Sequence, residues 1–270
     1  MSKVWFITGT STGFGRQFVL QLLQAGEKVV ATARKLEAIQ YFKELAPDRV
    51  HLAALDVTNK EQIQSAVQEA VDVFGKIDIV VNNAGYGLFG MLEEYTDEQI
   101  RAQFDVNVFG VLNVIQATLP IFKRQGSGHY VNFSSFFGTW SMPPYSLYSA
   151  SKFAVEGFSE AFAQEFAPFG IKTTIVEPSV YATEFFGEGM QHTDKKQEYA
   201  PLYEAYEKGM SNLKVGDPAK AVQLIISVIN SGNSPLRLPV GSQAAYTIRE
   251  AYSKRLEEVN TLLDRAAEAD

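Results

Sequence analysis

A chain of 270 residues with 24 Lys+Arg against 31 Asp+Glu carries a formal charge of −7, which argues against a nucleic-acid partner, since that would need a basic face. Hydrophobic residues at 46% and charged residues at 20% sit near globular averages and exclude a disordered or collagen-like chain. The lack of cysteine excludes disulfides, thiolate chemistry and iron–sulfur ligation, and the three histidines, His51, His129 and His192, stand in unrelated segments, so no metal centre is expected.

Short apolar runs alternate along the chain with longer stretches of helical periodicity. The first run, residues 3–8, leads into Thr8-Gly9-Thr10-Ser11-Thr12-Gly13-Phe14-Gly15 and then a helix carrying Phe18, Leu22 and Leu23. Glycines let a backbone turn sharply and approach a pyrophosphate, whose charge is met by amides at a helix N-terminus. Gly9, Thr10, Ser11, Gly13, Phe14 and Gly15 are therefore candidate cofactor contacts, although the spacing is Gly-x-x-x-Gly-x-Gly rather than Gly-x-Gly-x-x-Gly. The second strand, 28–33, ends in Thr32-Ala33 and is followed by Arg34. An NAD site places a carboxylate about 20 residues past the glycine turn, to hold the ribose hydroxyls. Neither Thr32 nor Ala33 can do so, whereas the Arg34 guanidinium can chelate a 2′-phosphate, so the expected cofactor is NADP(H), with NAD(H) the lesser alternative.

The third strand, 50–55, is followed by Asp56 and Val57, and Thr58-Asn59 then caps a helix with Ile63, Val67, Val71 and Phe74 on one face. The fourth, 77–82, ends in Asn82-Asn83-Ala84-Gly85, at the carboxyl edge where open sheets bind ligands. Thr96, before Asp97-Glu98, opens a long helix over 98–123 that contains Asn107. The fifth strand, 129–134, ends in Asn132-Phe133-Ser134-Ser135. Asn132-Phe133-Ser134 fits a glycosylation acceptor but falls in a buried strand and is set aside. Tyr148 follows, with Lys152 one helical turn further on, and positions i and i+4 share a face, so phenol and ammonium can point into one cleft. With 12 tyrosines in the chain such a pair arises readily by chance, and its weight comes from where it stands.

The helix continues over 149–167 to Gly170. A sixth strand, 171–177, leads to Pro178-Ser179-Val180-Tyr181-Ala182-Thr183. A tyrosine-rich segment, 184–216, precedes the last strand, 236–240, and a charged helix at 242–268. The strands are too uniformly apolar for half-exposed hairpins and are separated by the dozen or more residues that parallel crossovers need. The expected fold is α/β, a doubly wound Rossmann-type parallel sheet of about seven strands with helices on both faces, in one domain over 1–270. The length and aromatic content of 184–216 suggest a lid. No apolar run approaches the roughly 18 residues of a bilayer span, so the expectation is a cytoplasmic protein without a membrane partner.

Taken in order, the glycine turn after strand 1, Asn-Asn-Ala-Gly after strand 4, Ser135 after strand 5 and Tyr-x-x-x-Lys in the next helix resemble the short-chain dehydrogenase/reductase family in its single-domain form. The resemblance runs motif by motif over residues 3–185 and more loosely beyond. It implies a catalytic tetrad of Asn107, Ser135, Tyr148 and Lys152, a cofactor turn from Thr8 to Gly15, and an adenine contact at Asp56 and Val57. It further implies cofactor contacts at Asn83, Ala84, Gly85, Pro178, Val180 and Thr183, the last meeting the nicotinamide carboxamide, besides those of Tyr148 and Lys152. Ser179 replaces the glycine usual in this motif. The resemblance is to hydroxysteroid- and retinol-dehydrogenase-like members.

The implied chemistry is hydride transfer between a dihydronicotinamide and a carbonyl carbon, with Tyr148 as general acid/base. Lys152, with oxidised nicotinamide, is expected to lower the Tyr148 pKa from its usual value near 10. Ser135 would donate to the carbonyl oxygen, and Asn107 would hold a water between Lys152 and solvent. Around the tetrad the chain is rich in Phe89, Met91, Phe136, Phe137, Trp140, Met142, Tyr145, Phe185 and Phe186 and poor in Arg and Lys, so a bulky neutral ketone or secondary alcohol is expected, contacted by Ser135, Phe89, Phe137, Trp140, Tyr145 and Phe185. The rival readings are a catalytically silent nucleotide-binding regulator and a nucleotide-sugar epimerase or dehydratase. A homodimer or homotetramer is expected through the helices at 98–123 and 149–167, which carry Phe104, Phe109, Phe153, Phe158, Phe162 and Phe166.

Overall fold

The computed structural model describes residues 2–187, 189–210 and 214–270. Its centre is a seven-stranded parallel sheet. In chain order the elements are β1 (Val4–Ile7), α1 (Gly13–Gln24), β2 (Lys28–Ala33), a short α2 (Phe42–Leu45), β3 (Val50–Ala54), α3 (Lys60–Phe74) and β4 (Ile79–Asn82). There follow β5 (Gly87–Phe89), α4 (Asp97–Phe104), a π-helical turn (Asp105–Phe109), α5 (Gly110–Gln125), β6 (Gly128–Phe133), α6 (Ser146–Phe166) and β7 (Ile171–Pro178). The last are β8 (Met190–His192), α7 (Ala200–Met210), α8 (Pro218–Asn230), β9 (Arg237–Val240), α9 (Ser242–Asn260) and α10 (Leu263–Ala266).

The strand order is β3-β2-β1-β4-β6-β7-β9, so the chain reverses direction across the sheet between β1 and β4. Ile7 lies level with Ala31 and Val81, and Asn82 with Asn132, which brings the carboxyl ends of the central strands to one edge. Alternation along β1 shows how both faces are filled. Trp5 and Ile7 join Phe18, Leu22 and Phe42 and the α8 residues Val222, Ile225 and Ile229 in one core. Val4 and Phe6 join Ile63, Val67, Val114, Ile115 and Phe122 in the other. A strand buried on both sides must be apolar throughout, which is why these runs do not alternate with polar residues.

The expected helix starts hold in detail. The Asn59 side chain accepts from the Gln62 amide, and Thr96 and Gln99 cap one another reciprocally. Several differences from the sequence reading have physical causes. The helix expected over 98–123 is interrupted by the π turn that contains Asn107. The stretch Asp97–Gln125 is also long and apolar enough to cross a membrane by length and composition, contrary to expectation. Its apolarity has a use in the fold, since α5 lies against the sheet and 44% of the most apolar window is buried. The tail is not one helix. It breaks at Thr261-Leu262, where the Thr261 hydroxyl bonds back to the Glu258 carbonyl, and resumes as α10.

The segment read as a lid, 184–216, is largely structured. A 3-10 turn at Glu184–Phe186 leads to β8, which pairs in parallel with β5, and then to α7. Residues 188 and 211–213 of that segment lie outside the described residues. The three-residue strands β5 and β8 were not foreseen, because so short a run shows no period.

Candidate active site

The glycine turn is shaped by backbone that side chains resist. Gly9 and Gly13 have φ of 71° and 53°, and a Cβ on Gly15 would stand 2.1 Å from the Gly9 carbonyl oxygen. The turn is fixed from behind. Asn83 Nδ2 donates to the carbonyls of Thr8 (3.0 Å) and Gly9 (2.9 Å), and Thr8 Oγ1 accepts from the Asn83 and Ala84 amides. The side chains of Thr10 and Phe14 are turned inward. Thr10 Oγ1 donates to the Thr32 carbonyl, and Phe14 packs on Phe133 and Tyr181, so what they can offer a ligand is backbone. Arg34 is exposed just past β2. Asp56 Oδ1 accepts from the amide and hydroxyl of Thr58, and Val57 packs against Gly110. The result is a cradle along the carboxyl edge, beside the α1 N-terminus.

Tyr148, Lys152, Ser135 and Asn107 converge beside that cradle. The Lys152 ammonium lies 5.7 Å from the Tyr148 ring centroid and donates to the Phe133 carbonyl at 2.8 Å. A Cβ on Gly85 would fall 3.1 Å from Asn107 Oδ1 and 3.8 Å from Lys152 Nζ, so Gly85 keeps this corner open. Asn107 holds the Tyr86 backbone at both ends, accepting from its amide (3.1 Å) and donating to its carbonyl (3.0 Å). The π turn aims the Asn107 side chain in this direction.

Burial raises the Tyr148 pKa, and the Ser135 hydroxyl, within hydrogen-bonding reach, pulls the other way. The lowering expected from Lys152 is thus not a property of the protein alone, and at neutral pH the phenol is protonated. Burial brings Lys152 down to about 8, with the Glu156 carboxylate opposing the change.

Next to this group lies a cleft of about 620 Å³, floored by Phe136, Phe137, Trp140, Tyr145, Val180 and Tyr206. Of the expected substrate contacts, Phe137, Trp140 and Tyr145 line it. Phe89 stands behind Tyr145 (5.5 Å between centroids), and Phe185 lies over the Tyr148 ring (5.5 Å). The loops that line the cleft contribute no Lys or Arg, but the distant tail helix α9 adds Lys254 and Arg255 alongside Glu250 and Glu258. The Ser179 hydroxyl faces Gly241 and Tyr181, where Gly241 has no Cβ to collide with it. Thr183 Oγ1 accepts from the Phe185 amide, at the start of the covering segment, and Pro178 ends β7.

Two groups escaped the sequence reading. Glu94, buried, accepts from Thr193 Oγ1 (2.9 Å), the amides of Lys196 (2.8 Å) and Met91 (2.8 Å), and the Tyr203 hydroxyl. Burial acts to raise its pKa, but these bonds hold it at about 2. It pins the covering segment to the body. Behind Lys152, one turn along α6, Glu156 accepts from Arg237 Nε at 3.0 Å. The neighbouring Glu177 is fully buried, and neither of its carboxyl oxygens has a partner among the described residues. Burial, and then the Glu156 charge, push Glu177 up to about 8 against the pull of Arg237. No motif announces such contacts, which join elements far apart in sequence. Among the described residues, no group of three or more His, Asp or Glu is placed to hold a metal ion.

Residues 3–194 match the short chain dehydrogenase family. The chain is 38% identical over 248 residues to oxidoreductase BOA17 of Botryotinia fuckeliana, covering 90% of each. It is 34% identical over 250 residues to a 3-ketodihydrosphingosine reductase of Bacteroides thetaiotaomicron, covering 88% of each. In structure it superimposes on a short-chain dehydrogenase from Streptomyces avermitilis with a TM-score of 0.93, at 36% identity and full coverage of both chains. It also superimposes on ElxO with NADP bound, with a TM-score of 0.75 at 28% identity, covering 89% of this chain and 97% of ElxO. A Burkholderia phymatum relative in complex with NAD gives a TM-score of 0.80 at 25% identity, covering 92% of each. With its seven-stranded parallel sheet, its glycine turn and its Ser-Tyr-Lys group at the sheet edge, this chain belongs to the short-chain dehydrogenase/reductase family and is an oxidoreductase.

Proposed function

We propose that the protein interconverts a bulky neutral ketone and its secondary alcohol with NADP(H), Tyr148 serving as proton donor and acceptor. The observation that carries this reading is the buried Tyr148 phenol, placed between the glycine cradle and an aromatic cleft of a size typical of small-molecule sites. The cradle suits a dinucleotide, since its glycines let the turn fold tightly against the start of α1, where backbone amides and the helix dipole favour a pyrophosphate. Arg34, rather than a carboxylate, follows β2 and would take the 2′-phosphate. Bound there, the nicotinamide supplies the hydride.

The rest falls to the protein's own side chains. A phenol kept protonated by burial suits delivery of a proton to the developing alkoxide. Ser135 Oγ accepts from the Phe137 amide at 3.2 Å, which fixes the hydroxyl for donation to the carbonyl oxygen. Lys152, cationic below about pH 8, favours the phenolate that results and is anchored by the Phe133 carbonyl. Phe185 and the aromatic cleft exclude water. The opposing charges at the rim leave the cleft without a net cationic clamp, which supports a neutral substrate.

The test is a panel of aryl, alicyclic and long-chain ketones and alcohols assayed with both nucleotides. Tyr148→Phe should bind nucleotide normally and lose about 10²–10⁴-fold in turnover. A single charge-assisted contact at Arg34 corresponds to a preference for NADPH of roughly 10- to 150-fold, which Ala33→Asp with Arg34→Ala should reverse. Equal use of NADH by the unaltered protein would refute the cofactor reading, and normal turnover by Tyr148→Phe would refute the mechanism.

A further inference from the structure

The N-terminus of α1 lacks both of its usual local partners. The Thr12 side chain makes no capping bond, and the first turn holds no acidic residue. Its carboxylate comes instead from Glu184, 168 residues from Arg16 along the chain. Glu184 Oε2 accepts from the Gly13 amide at 3.0 Å, and Oε1 lies 3.4 Å from Arg16 Nη1. The guanidinium is itself held to the Ser11 carbonyl through Nε (3.0 Å) and Nη2 (2.6 Å), so it is a fixed partner rather than a wandering surface charge.

Glu184 also stands at a junction. Its carbonyl accepts from the amides of Gly187 (3.0 Å) and Gly189 (2.9 Å), closing the first turn of the covering segment. On one side, Thr183 approaches so closely that a Cβ on Gly13 would meet Thr183 Cβ at 3.4 Å. On the other, Phe185 lies over Tyr148. One side chain therefore ties the glycine turn to the segment covering the reacting group, and neither half of the tie has another acidic group to replace it in the first turn of α1.

We propose that Glu184 is a positioning residue, a latch that holds the covering segment down on the glycine turn and must release Gly13 and Arg16 before a bound dinucleotide can leave. Arg16 offsets the carboxylate's charge, so the latch can close beside a pyrophosphate. The proposal rests on the dinucleotide reading of the cradle, but not on which nucleotide or substrate is used, because the pyrophosphate is common to NAD and NADP. Both latch partners are partly exposed, at 38% and 43%, so the ion pair itself contributes little and the amide–carboxylate bond carries most of the effect. The exposure also means that substitution leaves the cores intact.

The experiment compares Glu184→Ala, Glu184→Gln, Arg16→Ala and the double variant Arg16→Ala/Glu184→Ala with the unaltered protein. Two quantities are read: dissociation of NADPH and of NADH by stopped-flow nucleotide fluorescence, and chymotryptic cleavage within 184–210 without nucleotide. Glu184→Ala should speed dissociation about 5- to 10-fold and accelerate cleavage. Glu184→Gln, which keeps an acceptor, should fall between. The double variant should be no worse than Glu184→Ala alone, because both residues serve one contact. Dissociation and cleavage within twofold of the unaltered protein would overturn the latch, as would faster dissociation with unchanged cleavage, which would mark Glu184 as a direct nucleotide contact. If neither nucleotide binds, the proposed function fails, and the cleavage rates still judge whether Glu184 holds the segment.

Discussion

At the scale of single residues, the site works through burial as much as through charge. Tyr148 and Lys152 are brought together by helical spacing that the sequence displays, yet their acidities are set by neighbours that it does not display. Burial keeps the phenol protonated and lowers the ammonium to about 8. Glu177 gives a direct test of the same principle. Its folded pKa, about 8, lies above the ordinary carboxylate value of 4.5, so the folded state holds a proton that the unfolded chain has given up. The contribution of Glu177 to stability is therefore full below about pH 4.5 and declines as pH rises towards 8. Glu177→Gln, neutral at every pH, should flatten that decline and raise Tm at pH 8 on the order of 5 °C. Thermal melts across pH 4.5–8.5 would show it, and an unchanged or steeper decline in the variant would refute the burial argument.

The covering segment is the element where sequence and structure differ most. Its aromatic content suggested a lid, and the residues that hold it are acidic: Glu94 beneath, Glu93 at the rim through Tyr199 and Lys196, and Glu184 at the start. The folded Glu94 pKa is depressed, so its stabilisation is present above the unfolded value of 4.5 and is lost as pH falls towards about 2. Glu94→Ala strands the Tyr203 hydroxyl and the Lys196 amide. It should lower Tm at pH 7 by about 3–6 °C and speed proteolysis within 190–210, with the gap to the unaltered protein closing as the pH drops below 4.5. A gap that stays constant down to pH 2 would mean that Glu94 is not the anchor. A related prediction is that the segment closes over substrate, in which case cleavage should slow when nucleotide and substrate are both present. Identical protection in all states would count against a moving lid.

At the scale of the whole molecule, the reversal of strand order between β1 and β4 opens the crevice where the glycine turn, Asn83 and the Ser135, Tyr148 and Lys152 side chains meet. The outer helices bear on assembly. Phe158, Phe162 and Phe166 stack in a row and pack against the core, so they offer less apolar surface than the sequence suggests. Phe109 is the exception, 52% exposed where the π turn meets α5. We expect a dimer or tetramer through the α4–α5 and α6 faces. Light scattering at micromolar concentration should give at least twice the 29.9 kDa chain mass, and Phe109→Glu should shift it towards monomer. A monomeric unaltered protein would refute this.

The sequence by itself determined the seven strands of the sheet, most of the helices between them and the spacing that puts Tyr148 and Lys152 on one helix face. Each of these follows from a local rule: doubly buried strands are apolar throughout, Gly9 and Gly13 need φ values that side chains resist, and Tyr148 and Lys152 share a helix face. Only the tertiary structure decided the π turn that aims Asn107, the β5–β8 pairing, the charged rim that α9 brings to the cleft, and the Glu94 and Glu184 anchors. These are contacts across roughly 100 or more residues, or a one-residue expansion of a helix. Their energies arise when distant groups meet in a desolvated place, and no local period or spacing records that meeting in advance.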